Sequence, residues 1–130
     1  MAGELILIVE DNEKNRKLER DILQFHGYRT VEAETGEDGV TLAQASPPAL
    51  ILMDIQLPGM SGIDALRMLR ADERTRGIPV IAVTASAMTQ DRQKIMSAGF
   101  DGYQAKPIDV NQFVAAVRAM LARPPAGGPA

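Results

Sequence analysis

The 130-residue chain contains no cysteine. That absence excludes disulfides, thiolate chemistry and cysteine-ligated metal sites. A single histidine makes a histidine-rich zinc site untenable. Long hydrophobic runs are also missing, and the apolar stretches at 5–9 and 49–53 are far too short to cross a bilayer. The opening residues Met1-Ala2-Gly3-Glu4 lack the basic start of a secretory signal. There is no excess of positive charge: the net charge is −3 and the pI about 5.1, which gives no global electrostatic case for binding nucleic acid. What remains is ordinary. Hydrophobic residues make up 45% and charged residues 24%, enough for one core and a hydrated surface. The expectation is a soluble cytoplasmic protein with one domain over residues 1–122 and a disordered tail over 123–130, Arg-Pro-Pro-Ala-Gly-Gly-Pro-Ala.

Short apolar runs alternate with amphipathic stretches. Leu5-Ile6-Leu7-Ile8-Val9 is continuous and rich in branched residues, as a strand buried on both faces is. A helix follows over 13–26, with Leu18, Ile22 and Phe25 at helical spacing and Gly27 placed to end it. Residues 28–33 alternate apolar and polar, as an edge strand does. Thr35 with Asp38 caps a helix over 36–45, and Ser46-Pro47-Pro48 stops it. The pattern repeats with a buried strand at 49–53, a loop at 58–62, and a helix over 62–71 capped by Ser61. A buried strand at 80–83 and a helix over 88–98 ending at Gly99 come next. A more polar strand at 102–105 and a final helix capped by Asp109 complete the chain. The apolar stripe of that helix is Val110, Phe113, Val114, Val117, Met120 and Leu121.

Five β-α units predict a parallel sheet covered by helices on both faces. The first, third and fourth runs are the most apolar and belong in the centre; the second and fifth belong at the edges. That is the flavodoxin-like (βα)5 order 2-1-3-4-5. Ligands of such a sheet sit beyond the carboxyl ends of its strands. Strand one ends in Glu10-Asp11, strand three in Asp54, strand four in Thr84 and strand five in Lys106. Three carboxylates brought together repel and raise one another's pKa, and a divalent cation resolves the conflict. Oxygen-only ligation favours Mg²⁺, Mn²⁺ or Ca²⁺, and Mg²⁺ pairs carboxylates with phosphate oxygens. Lys106 supplies a positive charge and Thr84 a hydroxyl for a phosphoryl group, and Asp54 is the natural nucleophile.

Each residue has a plainer reading by itself. An acidic pair suits a helix N-terminus, an aspartate before a loop is a common turn residue, a threonine is a common cap and a lysine a common surface charge. The set carries the argument, because four of five strand ends supply matching chemistry at the one place where the topology puts a ligand. His26 in a last helical turn complements the helix dipole, and the methionines read as core and loop filler.

The stretches Ile8-Val9-Glu10-Asp11-Asn12, Leu52-Met53-Asp54-Ile55-Gln56-Leu57-Pro58-Gly59-Met60-Ser61-Gly62, Val83-Thr84-Ala85 and Lys106-Pro107 together resemble the response-regulator receiver family. The likeness covers residues 4–122 and is greatest to single-domain regulators of cell division. The resemblance implies a phosphoacceptor that catalyses its own phosphotransfer and slow dephosphorylation, and is otherwise not an enzyme. It implies phosphoryl transfer to Asp54 from histidine kinases or a histidine phosphotransferase. It implies Mg²⁺, with Mn²⁺ as an alternative, held by Glu10, Asp11, Asp54 and the backbone carbonyl of Gln56. Thr84, the Ala85 N–H and Lys106 match the phosphoryl-binding groups, and the Lys106–Pro107 bond is expected to be cis. Thr84 and Tyr103 match the switch pair, and Gln56 and Ser86 lie where the family tunes dephosphorylation. Glu10 departs from the aspartate of many members. Output is expected through the face formed by the fourth helix, fifth strand and fifth helix, to a protein and not to nucleic acid or membrane, from a monomer or a phosphorylation-dependent dimer.

Two other classes fit less well. A flavin binder needs a Ser/Thr/Gly-rich phosphate loop after strand one, where Glu10-Asp11 stands instead. A phosphatase of the haloacid dehalogenase type needs Asp-x-Asp, and the second residue after Asp54 is Gln56. A receiver cut from a larger kinase or regulator is the third alternative.

Overall fold

The computed structural model describes residues 3–85 and 89–122. The elements run β1 (Leu5–Val9), α1 (Glu13–Phe25), β2 (Arg29–Ala33), α2 (Gly36–Ala45), β3 (Leu50–Asp54), α3 (Gly62–Ala71), β4 (Val80–Thr84), α4 (Thr89–Ser97), β5 (Gly102–Ala105) and α5 (Val110–Ala122). All neighbouring strands are parallel, in the order β2-β1-β3-β4-β5. The expected order therefore holds, and for the expected reason. β3 and β4 are buried along their whole length, whereas every residue of β5 and all but Ala33 of β2 keep some exposure. A central parallel strand is covered on both faces and must be apolar throughout.

The two faces of the sheet bury separate sets of side chains. Leu7, Val9, Ile51, Met53, Val80 and Ala82 face one cluster, which includes Leu66 and Leu69 of α3 and Ile95 of α4. Ile6, Ile8, Leu50, Leu52, Ile81 and Val83 face the other, which includes Ile22 and Leu23 of α1 and Phe113, Val114 and Val117 of α5. The alternation follows from the two-residue period of a strand. The register pairs Ile8 with Leu52, so Glu10 and Asp54, two residues further on, continue the column that faces α1 and α5.

Among the described residues, the helix ends lie within one residue of their expected positions. Asn12, Thr35 and Ser61 side chains accept from the N–H groups of Asn15, Asp38 and Asp64, and Asp109 accepts from Gln112. Gly27 has φ = 90° after the α1 C-cap His26, a conformation glycine adopts without strain. Gly62 is required for closeness instead. A Cβ there would lie 2.4 Å from the Asp54 carbonyl oxygen, so its absence lets α3 start directly against the end of β3.

Two details differ from the expectation. Phe25 is 86% exposed and Leu18 is also exposed, so the inner face of α1 is Glu19, Ile22 and Leu23 instead of Leu18, Ile22 and Phe25. Helical spacing names several overlapping stripes, and packing against β1 and α5 selects one. Val110 lies outside the α5 stripe, exposed in the first turn. On α4, Ile95 is buried but Met96 is exposed, so a single large side chain anchors the described part of that helix. The 123–130 tail, Ser86 and Met88 lie outside the described residues.

Candidate functional site

β1, β3, β4 and β5 all end at one edge of the sheet, and the residues singled out there do converge. Ligand atoms of Glu10, Asp11 and Asp54 lie within 4.8 Å of one another. Glu10 and Asp54 are buried, at 1% and 3% exposure, while Asp11 faces solvent. Lys106 Nζ stands 2.7 Å from Glu10 Oε1 and 3.3 Å from Asp54 Oδ2. The remaining oxygens are held the same way in both residues. Glu10 Oε2 accepts from the Asn12 N–H at 3.1 Å, and Asp54 Oδ1 accepts from the Gln56 N–H at 3.1 Å. Arg16 donates to the Glu10 carbonyl at 3.0 Å while pairing with Glu32, which fixes the backbone at the end of β1.

One ammonium serves two buried carboxylates with a third beside them. Burial raises the Asp54 pKa, and the neighbouring Glu10 carboxylate raises it further; Lys106 and the Gln56 N–H pull the other way but do not prevail. Burial opposes the charge on Lys106, yet the two carboxylates outweigh it and its pKa rises. The site thus has an excess of negative charge held out of water. Its donors are hard oxygens, so the residues present fit a Mg²⁺-class ion. The expected cis bond between Lys106 and Pro107 is present.

Thr84 is buried at the end of β4, and its carbonyl accepts the Lys106 N–H at 2.8 Å. The register places Ala82 beside Tyr103, so Thr84 and Tyr103 point to the α3–α4 side of the sheet, opposite to Asp54. A cavity of about 180 Å³ lies there, lined by Thr84, Gln56, Ile55 and Ile63 on one side and Asp91, Lys94 and Ile95 of α4 on the other. Tyr103 is half-buried against the same cluster, with the Arg92 guanidinium 5.4 Å from its ring centre. Ala85 is exposed just beyond Thr84.

Two features of the site went unread in the sequence. Lys106 contacts Glu10 more closely than Asp54, which only side-chain packing decides. Glu19 is 1% exposed on the inner face of α1, and its Oε2 has no hydrogen-bond partner among the described residues. A signal for it exists in the sequence: Glu19 precedes Ile22 and Leu23 by three and four residues and so shares their stripe.

Five parallel strands in the order 2-1-3-4-5, with acidic residues and a lysine at their carboxyl edge, define the class of CheY-like receivers. The family model for the response regulator receiver domain matches residues 6–118, and the chain belongs to that family. Among individual proteins, it is 46% identical over 116 residues to the polar-differentiation response regulator DivK of Brucella ovis, covering 89% of this chain and 94% of the relative. The DivK of Brucella anthropi is 45% identical over the same length. Among solved structures, a receiver domain of a sensor histidine kinase from Pseudomonas aeruginosa PAO1 superposes with a TM-score of 0.87 at 35% identity, covering 94% of this chain and all of that one. That structure holds a magnesium ion coordinated in its active-site cleft. A CheY-like receiver from Methanospirillum hungatei matches with a TM-score of 0.82 at 28% identity, covering 92% and 94%. Receivers are phosphoacceptors that bind Mg²⁺ in an acidic site and take their phosphoryl group from histidine kinases or phosphotransfer proteins. Among the described residues, no helix is long and apolar enough to cross a membrane.

Proposed function

We propose that Asp54 is the phosphoacceptor and that the chain is a cytoplasmic signalling switch of the DivK kind. One observation carries the reading: Asp54 is buried beside Glu10 and Asp11, with a single lysine between them. In the reaction, an Asp54 carboxylate oxygen attacks the phosphorus of a phosphohistidine on a kinase or phosphotransfer protein. The N–P bond breaks, the O–P bond forms, and the imidazole leaves with its electron pair. Glu10, Asp11, Asp54 and the Gln56 carbonyl would hold Mg²⁺, or Mn²⁺ with its similar preference for oxygen. Such an ion, when bound, offsets the charge of the phosphoryl oxygens. Lys106 is poised to leave Glu10 for a phosphoryl oxygen, and the Thr84 hydroxyl and Ala85 N–H lie at the adjoining strand end.

The added group brings nearly two negative charges to a site already short of positive charge. Thr84 moves toward it, Tyr103 follows into the space Thr84 leaves, and α4 shifts. The cavity behind Thr84 and the thin anchoring of α4 through Ile95 support that path. The α4–β5–α5 surface then presents a changed shape to a protein partner. Likeness to the DivK relatives supports a role in cell division or the cell cycle. Residues 1–122 form the receiver and 123–130 a tail. Gln56 and Ser86 tune the lifetime of the phosphoryl group.

Labelling with a small phosphodonor and Mg²⁺, followed by mass spectrometry, locates the phosphoryl group on Asp54. Undiminished labelling of the Asp54→Asn protein would falsify the assignment. Size-exclusion chromatography with and without beryllium fluoride decides between a constant monomer and a phosphorylation-dependent dimer.

A further inference from the structure

We propose that Glu19 is a further residue of the phosphorylation site: a buried carboxyl that keeps its proton while the site is empty and gives it up when a cation arrives, tightening the hold on that cation. The inference rests on the reading of Glu10, Asp11 and Asp54 as the cation ligands, and it adds a fourth carboxyl that does not touch the ion.

α1 begins at the carboxyl edge of the sheet, directly after Glu10 and Asp11, and runs away from it. Helical side chains lean toward their own N-terminus. Glu19 lies one turn before Ile22 and Leu23 on the inner face, so it leans toward the column that ends in Glu10 and Asp54. It is 1% exposed, and its Oε2 has no hydrogen-bond partner among the described residues. An ionised carboxylate buried without a partner is strongly disfavoured.

The charged groups around it are few. From β1 it senses Glu10, from β3 Asp54, and from the end of β5 Lys106. On its own helix, Arg16 and Arg20 are both occupied by Glu32 of β2, at 3.1 Å each. α5 offers only Arg118, which is exposed and reaches His26 instead. Among the described residues, Lys106 is the one cation that bears on Glu19, and it is already shared between Glu10 and Asp54. Burial, reinforced by Glu10 and Asp54, pushes the Glu19 carboxyl up to about 8.

A doubly charged ion held by Glu10, Asp11 and Asp54 cancels the excess negative charge that bears on Glu19. Positive charge favours the ionised form of a nearby carboxyl, so Glu19 releases its proton to solvent. Linkage is reciprocal, so the ionised Glu19 strengthens cation binding by the same factor by which the cation strengthens its acidity. Glu19 is not a ligand and not a nucleophile. It is a positioning residue for charge, and it makes cation loading at Asp54 depend on pH near neutrality.

The measurement is a carbon-13 titration of the glutamate carboxyls of the wild-type chain, with and without Mg²⁺. The Glu19 midpoint is expected above neutrality without Mg²⁺ and lower by roughly one unit or more with it. Calorimetry of Mg²⁺ binding in two buffers of different ionisation enthalpy, near pH 7.5, counts the protons released. Glu19→Gln, which imitates the protonated form, is expected to bind Mg²⁺ while releasing fewer protons than the wild type. A Glu19 midpoint that Mg²⁺ leaves unmoved, or equal proton release from both proteins, overturns the inference and leaves the site reading intact. Failure of the wild type to bind Mg²⁺ at all overturns the site reading and the inference with it.

Discussion

The two ends of the sheet hold charge drawn partly or wholly out of water in opposite ways. At the amino edge, Arg70 of α3 pairs with Asp101 at 2.8 Å, and every neighbour completes the pair. Arg70 also donates to the carbonyls of Arg76 and Ile78 at 3.0 and 2.6 Å, and Asp101 accepts the Val80 N–H at 2.9 Å. One positive and one negative charge, both hydrogen-bonded, close the junction of α3, β4 and β5. At the carboxyl edge, Lys106 faces Glu10 and Asp54 together, with Asp11 beside them and Glu19 behind. A closed network stabilises a fold and does nothing else. An unbalanced one costs stability and makes a place where a cation or a phosphoryl group changes the energy of the whole site.

Breaking the closed end has the largest effect expected here. Arg70→Ala leaves Asp101 partly buried without its cation and strips the loop carbonyls of a donor. The loss should be about 3 kcal/mol, read as a lower midpoint in urea. Mg²⁺ should not repair it.

The open end should show itself next, in the response to pH. An acid whose folded pKa lies above its unfolded value binds its proton more tightly in the folded state. Its stabilising share is fully present below the unfolded pKa and is lost as pH rises through the folded one. Glu19, raised from 4.5 to about 8, and Asp54, raised in the same direction, both behave so. Without Mg²⁺, stability should therefore fall by on the order of 2 kcal/mol between about pH 5 and pH 8. Glu19→Gln should flatten that slope, measured by urea unfolding across the range. An unchanged slope means Glu19 finds another partner.

Asp54→Asn should have the opposite sign to Arg70→Ala. Removing one of the crowded carboxylates relieves repulsion, so the variant should be more stable than the wild type by about 1 kcal/mol in the absence of Mg²⁺. Phosphoryl labelling should vanish in the same protein. The smallest effect is that of the cation itself. Mg²⁺ at about three times its dissociation constant should stabilise the wild type by about 0.8 kcal/mol, from mass action alone. Arg70→Ala should keep that gain in a thermal shift assay, while Asp11→Asn should lose most of it.

The contrast between the two ends also explains what could be read in advance. Apolar run length placed β1, β3 and β4 in the centre, and Thr35, Ser61 and Asp109 marked helix starts with ordinary capping chemistry. Asp54 and Lys106 were legible because they stand at strand ends, where chain order alone fixes direction. The face that α1 turns inward was not legible in the same way. Leu18, Ile22 and Phe25 make as good a stripe as Glu19, Ile22 and Leu23 by spacing, and Phe25 is by far the more hydrophobic. Only the docking of α1 against Ile8 and α5 chose the second stripe and left Phe25 in water. Asp101 and Arg70 lie 31 residues apart, and no local pattern joins them.

The sequence by itself determined the alternation of elements, the parallel sheet and the set of residues at its carboxyl edge. Those follow from periods of two and of about 3.6 residues and from where each run ends. The tertiary structure decided how the charges share one another. It set Lys106 closer to Glu10 than to Asp54, placed a cavity behind Thr84, and brought Glu19 under the site with one carboxyl oxygen unbonded among the described residues. Such distances depend on packing between elements far apart in the chain, where burial multiplies the strength of each charge and spacing along the sequence carries no information about it.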